Sequence, residues 1–250
     1  MMSDELYVNL EWLPRAPDDF SEQLQTATQE KASGSLLRKL AGYALHINQM
    51  HRIAKVIAIA QKENKDLRPL KPFSLGIVSN ATTSIIGPAL VATAARYGFL
   101  LTVHEAPYDQ AVQVALGEVE AFKGVAMDAI LIAIDYKGLP VQSNTPPFGK
   151  DADAVNESLD YLNMIRTQLK QKYGAPCIMQ TCAPEPDSFF GNFDVQVNNT
   201  SRQFINIFNS ALVKEVTGTE DFLLDVAAIA ETVGLANWHD PVMYHMAKLP

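Results

Sequence analysis

Apolar residues in the first 70 positions recur at helical spacing. Leu36, Leu37, Leu40, Ala41 and Ala44 predict a helix over 35–45, and Ile53, Val56, Ile57 and Ala60 predict another over 48–64. Residues 18–28 are polar and helix-compatible, and 66–72 form a charged linker containing two prolines. From Phe73 the texture changes to short apolar runs alternating with longer amphipathic ones. The runs predict strands at 73–78, 99–104, 129–134, 176–181 and 222–226, and helices at 84–97, 109–116, 155–172, 201–216, 227–234 and 241–248. The run 129–134 is apolar throughout, as a strand buried on both faces should be. Strands separated by helices predict an α/β fold, a three-layer αβα body with a five-stranded parallel, flavodoxin-like sheet. The expected division is a helical N-terminal extension over 1–70 and the α/β domain over 71–250.

Composition narrows the class. With 250 residues, 48% of them apolar, the chain can bury a large core without disulfide or metal staples. The net charge of −8 and the lack of a basic stripe argue against nucleic acid as the main ligand. No apolar run approaches the roughly 20 residues of a membrane helix. The acidic start lacks the order of a signal peptide, so a cytoplasmic location is expected. Cys177 and Cys182, five apart, have no metal or redox spacing, and the sequons at 198–201 have no role in a cytoplasmic chain.

In open α/β sheets, ligands bind beyond the carboxyl ends of the strands. That rule selects Ser79, Asn80, Thr82 and Thr83 after the first strand, His104 and Glu105 after the second, and Asp135, Tyr136 and Lys137 after the third. Thr181 and Cys182 follow the fourth, and His239, Asp240 and His245 come from the C-terminal segment. The loop 79–83 leads into a helix N-terminus whose amides can hold an anion or oxyanion. The plainer reading is helix capping by Asn80 or Thr83. Neighbours His104 and Glu105 point to opposite faces, which suits a rim pair. Asp135 is either functional or a turn cap. Asp240-Pro241 reads as N-cap and first residue of the last helix, with a second possible role in orienting His245. Neither zinc-ligand spacing nor a Gly-rich phosphate loop is present, so no metal or cofactor is expected.

The alternating body resembles an SGNH-type hydrolase domain, whose Gly-Asp-Ser loop follows the first strand. Here that loop reads Ser79-Asn80-Ala81, with Ala81 in the nucleophile's place. The loop after the third strand, Asp135-Tyr136-Lys137, lacks the family's oxyanion Asn. Asp240 fits the terminal Asp of an Asp-x-x-His pair, but Met243 stands in the His position and His245 lies two further on. A closer resemblance rests on the Leu36–Ala41 pattern, Leu45–Gln49, Leu75–Thr83, His104–Gln110, Asp128–Asp135 and Trp238–Asp240 running on to Pro250. Their order is similar to the N-terminal region of FkbH-like proteins, of haloacid-dehalogenase subfamily IIIC. The resemblance implies a place in polyketide or related biosynthesis, where a glyceryl unit moves from a phosphorylated three-carbon donor onto an acyl carrier protein. It also implies a downstream haloacid-dehalogenase-type domain. That domain's Asp-x-Asp-x-Thr loop is absent from these residues, so the expectation is an N-terminal fragment or a stand-alone relative without the phosphatase-like chemistry.

Three roles follow. The first is an accessory domain that receives a carrier protein or its phosphopantetheine-linked acyl group at Ser79, Asn80, Thr83, His104 and Asp135, with Lys62, Lys65, Arg68 and Lys71 as the basic contact. The second is a rearranged esterase or acyltransferase, with Thr82, Thr83 or Ser79 as nucleophile, His245 or His104 as base and Asp240 behind His245. The third is a non-catalytic scaffold or dimerisation domain.

Overall fold

A computed structural model of the chain describes residues 12–140, 151–197 and 200–248. Asn198 and Asn199 of the sequons, and the acidic start, lie outside these residues. The chain forms two compact units, one from residues 12–75 and 83–103, the other from 76–82 and 104–248.

The first unit contains helices α1 (Phe20–Gln29), α2 (Gly34–Ala41), α3 (Ile47–Lys62) and α4 (Ile86–Arg96). Their apolar stripes close on one another. Phe20, Leu24, Leu37, Leu40, Ile53, Ile57, Ala92 and Ala95 share a single core. The Arg96 guanidinium donates to the carbonyl oxygens of Ala41 at 2.8 Å and Tyr43 at 3.4 Å, filling acceptors that the end of α2 leaves open. Gly98, at φ 87°, turns the chain from α4 into the next strand, a conformation that suits only glycine well.

Strands β1 (Lys71–Ser79), β2 (Phe99–Glu105), β3 (Ala129–Ala133), β4 (Cys177–Gln180) and β5 (Phe222–Leu224) form one all-parallel sheet. Its order is β2-β1-β3-β4-β5, the flavodoxin-like arrangement. In β3 and β4, Ile130 pairs with Cys177, Leu131 with Ile178 and Ile132 with Met179; Met179 in turn pairs with Leu223 of β5.

The second unit also holds α5 (Ala111–Leu116), α6 (Asp151–Tyr173), α7 (Ser201–Val216), α8 (Val226–Val233), α9 (Leu235–Trp238) and α10 (Pro241–Ala247). Ile130, Ile132, Ile165, Leu169, Met179, Ile205 and Phe208 are among its largest fully buried side chains. The bottom of this sheet is fastened by Asp221, whose side chain is 2% exposed. Its carboxylate accepts from the Cys177 amide at 2.8 Å and pairs with Lys170 at 3.0 Å and Arg166 at 3.6 Å. Burial, reinforced by this neighbouring carboxylate, pushes the Cys177 thiol up to about 12.

The predicted strands and helices therefore all form, with boundaries moved by a few residues. The expected helix over 84–97 starts at Ile86, whose N-cap Ile85 makes no side-chain cap. The short helix α9 is an addition that four residues are too few to announce by periodicity. Among the described residues no helix is long and apolar enough to cross a membrane.

Candidate functional site

The order reversal in a 2-1-3-4-5 sheet falls between β1 and β3, and the loops leaving these strands flank the crevice where such folds bind ligands. Both loops are built from short polar residues that bond one another. The Ser79 hydroxyl donates to the Ala133 carbonyl at 2.9 Å and accepts from the Ala81 amide at 2.9 Å. Asn80, 8% exposed, donates through Nδ2 to Asp135 Oδ1 at 2.6 Å, while its Oδ1 accepts the Asp135 amide at 3.0 Å. Asp135 Oδ1 also accepts from the amides of Lys137 at 2.9 Å and Gly138 at 3.2 Å, which starts the 3-10 helix Tyr136–Gly138. Gly138 is required here, because an added Cβ would lie 2.7 Å from Asn80 Cγ.

A third loop joins them from β4. The Tyr136 hydroxyl donates to Glu185, and burial followed by this carboxylate raises it far above the ordinary phenol value. The Lys137 ammonium lies 3.9 Å from Glu185 and 3.6 Å from the centroid of the Tyr244 ring on α10. Burial raises Tyr244 as well, helped by the charge of Asp135, by Tyr108, and by the charges of Asp109 and Glu185. The Thr82 amide donates to the Lys248 carbonyl at 3.1 Å, so the C-terminal segment is tied to the β1 loop too. Asp109, in the left-handed region at φ 55°, places its amide 3.0 Å from the Ser79 carbonyl. The β1, β2, β3 and β4 loops and α10 thus meet around Asn80, Asp135, Tyr136, Lys137 and Tyr244.

The sequence candidates divide accordingly. Ser79, Asn80 and Asp135 come together, with Thr82 beside them in the same loop. The Thr83 carbonyl accepts from Ile86 at 2.9 Å and Gly87 at 3.1 Å, opening α4 through its backbone, and Asn80 is spent on Asp135 rather than on a cap. His104 is half-buried at the end of β2 with Nε2 unpartnered, and Glu105 beside it is exposed. The Asp240 carboxylate accepts from the amides of Val242 at 2.9 Å and Met243 at 3.1 Å, a cap on α10 preceding Pro241. His245 is exposed and meets Tyr244 edge-on, ring centroids 6.3 Å apart. Thr181 joins Asp225 at 2.9 Å and the Ala227 amide at 2.9 Å, holding the start of α8. Cys182 is 1% exposed, its backbone bracketed by the Asn209 amide side chain at 2.8 Å on both sides. Burial raises its thiol, followed by the charge of Asp135.

Chemically, the arrangement can hold a ligand more readily than attack one. A serine that has donated its only proton to a backbone carbonyl has no base behind it. The carboxylate nearest His245 in sequence is fixed on amides. Among the described residues, no cluster of three or more His, Cys, Asp or Glu side chains is placed to bind a metal. Glu185, Tyr108 and Tyr244 had no place among the sequence candidates. Glu185 follows β4 as Asp135 follows β3, so the strand-end rule extended to residues 183–187 would have included it.

No curated protein matches the chain. The crystal structure of the N-terminal part of the protein BF1531 from Bacteroides fragilis, containing a phosphatase domain and complexed with Mg, superposes with a TM-score of 0.65 at 14% identity. The match covers 82% of this chain and 51% of that one, so the present chain spans about half of its length, and at this identity the likeness is one of fold. The family model of the FkbH N-terminal domain matches residues 74–250, taking in every strand of the sheet except the first residues of β1. This match covers more than half of the chain, and the chain belongs to the FkbH N-terminal domain family.

Proposed function

We propose that the second unit is a non-hydrolytic binding domain that holds an acyl or glyceryl group presented on the phosphopantetheine arm of an acyl carrier protein, in polyketide-type biosynthesis. The observation that carries this reading is the reciprocal Asn80–Asp135 clasp, which fixes two loops at the ligand crevice with donors and acceptors already satisfied. Tyr108, Tyr136 and Tyr244 supply aromatic surface suited to the apolar and amide parts of a pantetheine arm. Lys137 supplies one ammonium, held on Tyr244 and loosely paired with Glu185.

The esterase reading has less support. Ala81 stands where a nucleophile would be needed, Ser79 is engaged on both sides, and Asp240 caps α10. Turnover of p-nitrophenyl acetate and of an acyl-pantetheine thioester tests the difference. The proposal expects background rates for the wild type, unchanged in Ser79→Ala, Thr82→Ala and His245→Ala. Hydrolysis that disappears in any of the three would overturn it.

A further inference from the structure

The net charge of −8 is unevenly divided. Residues 76–82 and 104–250 hold nine Lys/Arg against 19 Asp/Glu, a net of −10, whereas 1–75 and 83–103 hold 11 against nine, a net of +2. Within the first unit the positive charge gathers on α3, which carries Arg52, Lys55 and Lys62 and no acidic residue. The basic contact read from the sequence is different. There, Lys65 pairs with Glu63 at 2.8 Å and Arg68 with Asp66 at 2.7 Å, so half of that patch is already neutralised.

A groove of about 610 Å³ runs between α1 and α3. Leu24, Val56 and Ile59 form its apolar floor, and Arg52 and Lys55 stand exposed on the α3 lip. Arg52 donates to Ser21 Oγ at 2.9 Å, and among the described residues neither Arg52 nor Lys55 has an acidic partner. Lys62 lies three residues beyond Ile59, on the same helical stripe. The α1 lip is polar, with Glu22 its only charged side chain. One lip positive, an apolar floor and a near-neutral second lip match a single kind of occupant, and they also orient it. We infer that the α1–α3 groove is a docking surface for an amphipathic helix of a partner protein, its apolar stripe on Ile59 and Val56 and its acidic face against Arg52, Lys55 and Lys62. This surface stands on the first unit alone and does not need the acyl-binding reading of the second.

Fluorescence anisotropy with the full chain tests it, using two probes: an 18-residue Leu/Glu amphipathic peptide and a holo acyl carrier protein. A Leu/Lys peptide of the same spacing serves as the reversed probe. The acidic peptide is expected to bind and to lose at least about tenfold in affinity with Arg52→Glu/Lys55→Glu, while the Leu/Lys peptide gains. Arg68→Glu, at a site already paired with Asp66, is expected to leave both unchanged. Melting curves for each variant confirm that these exposed substitutions leave the unit folded. Absence of binding by the acidic peptide up to millimolar concentration, or binding indifferent to the double reversal, overturns the docking surface. A carrier protein that binds but ignores the reversal, beside an acidic peptide that ignores it too, overturns the docking surface while leaving the acyl-binding reading standing. An acidic peptide that responds to the reversal beside a carrier that does not bind supports the groove and counts against the carrier.

Discussion

Asn80→Ala removes the clasp at its centre, and the cost can be worked from the contacts. The substitution deletes the 2.6 Å bond from Nδ2 to Asp135 Oδ1 and the acceptor of the Asp135 amide. The first is a hydrogen bond to a charged acceptor, about 1.5–3 kcal/mol. The carboxylate keeps the Lys137 and Gly138 amides, so the lower half of that range applies. The orphaned Asp135 amide adds about 1 kcal/mol, since this residue is half-buried and water can reach it. The sum is about 2.5–3 kcal/mol, or roughly 5–12 °C in melting temperature for a chain of this size. Differential scanning calorimetry reads the stability, and amide exchange at Lys137 and Gly138 reads the loop directly. Asn80→Asp should cost more, because it sets a second carboxylate against Asp135 in place of the Nδ2 donor. A loss below about 0.5 kcal/mol with unchanged exchange at Lys137 and Gly138 would refute the clasp as an energetic element.

Other outcomes follow from the same contacts. Asp221→Ala strands the Cys177 amide and leaves Arg166 and Lys170 facing each other, so it should cost about 3 kcal/mol in denaturant titration, toward the low end for broken ion pairs because both cations are partly exposed. The two free cysteines, both buried with raised thiols, should resist a thiol reagent such as Ellman's in the folded protein and react on unfolding. Asp66 is held down to about 2 by hydrogen bonds from the Arg68 side chain and amide. A carboxyl depressed on folding contributes stability that is fully present above its ordinary value near 3.8 and is lost as pH falls through about 2. An NMR titration should place its midpoint near 2, returning toward 3.8 in Arg68→Ala.

The fold was largely legible because burial and period coincide. The helix at 201–216 was read to the residue, since Phe204, Ile205, Phe208 and Leu212 mark one face without interruption. Periodicity tells which side of a helix is buried but not what it meets. Ala92 and Ala95 lie within the helix expected over 84–97, yet only the structure shows them buried in one core with Leu37, Leu40 and Ile53. The candidate site was legible as two loops and opaque as a contact. Asn80 and Asp135 were both selected by the strand-end rule, but they stand 55 positions apart and local chemistry offered each a cap instead. Asp135 does cap a 3-10 turn with the same oxygen that takes the Asn80 bond, so one carboxylate serves both readings. Asp240 is explained by capping alone, as Asp-Pro at a helix start suggests. The charge division between the two units was invisible in the total of −8 and emerges only once α3 and α4 are known to pack with α1 and α2.

The most direct test of the central reading is calorimetric titration of the wild-type chain with an acyl-pantetheine, alongside Asn80→Ala and the conservative Tyr244→Phe. The account predicts saturable binding by the wild type without thioester hydrolysis, affinity reduced about tenfold or more in Asn80→Ala, and near-wild-type affinity in Tyr244→Phe, which keeps the ring on which Lys137 rests. Absence of binding, or binding that Asn80→Ala leaves untouched, would contradict it.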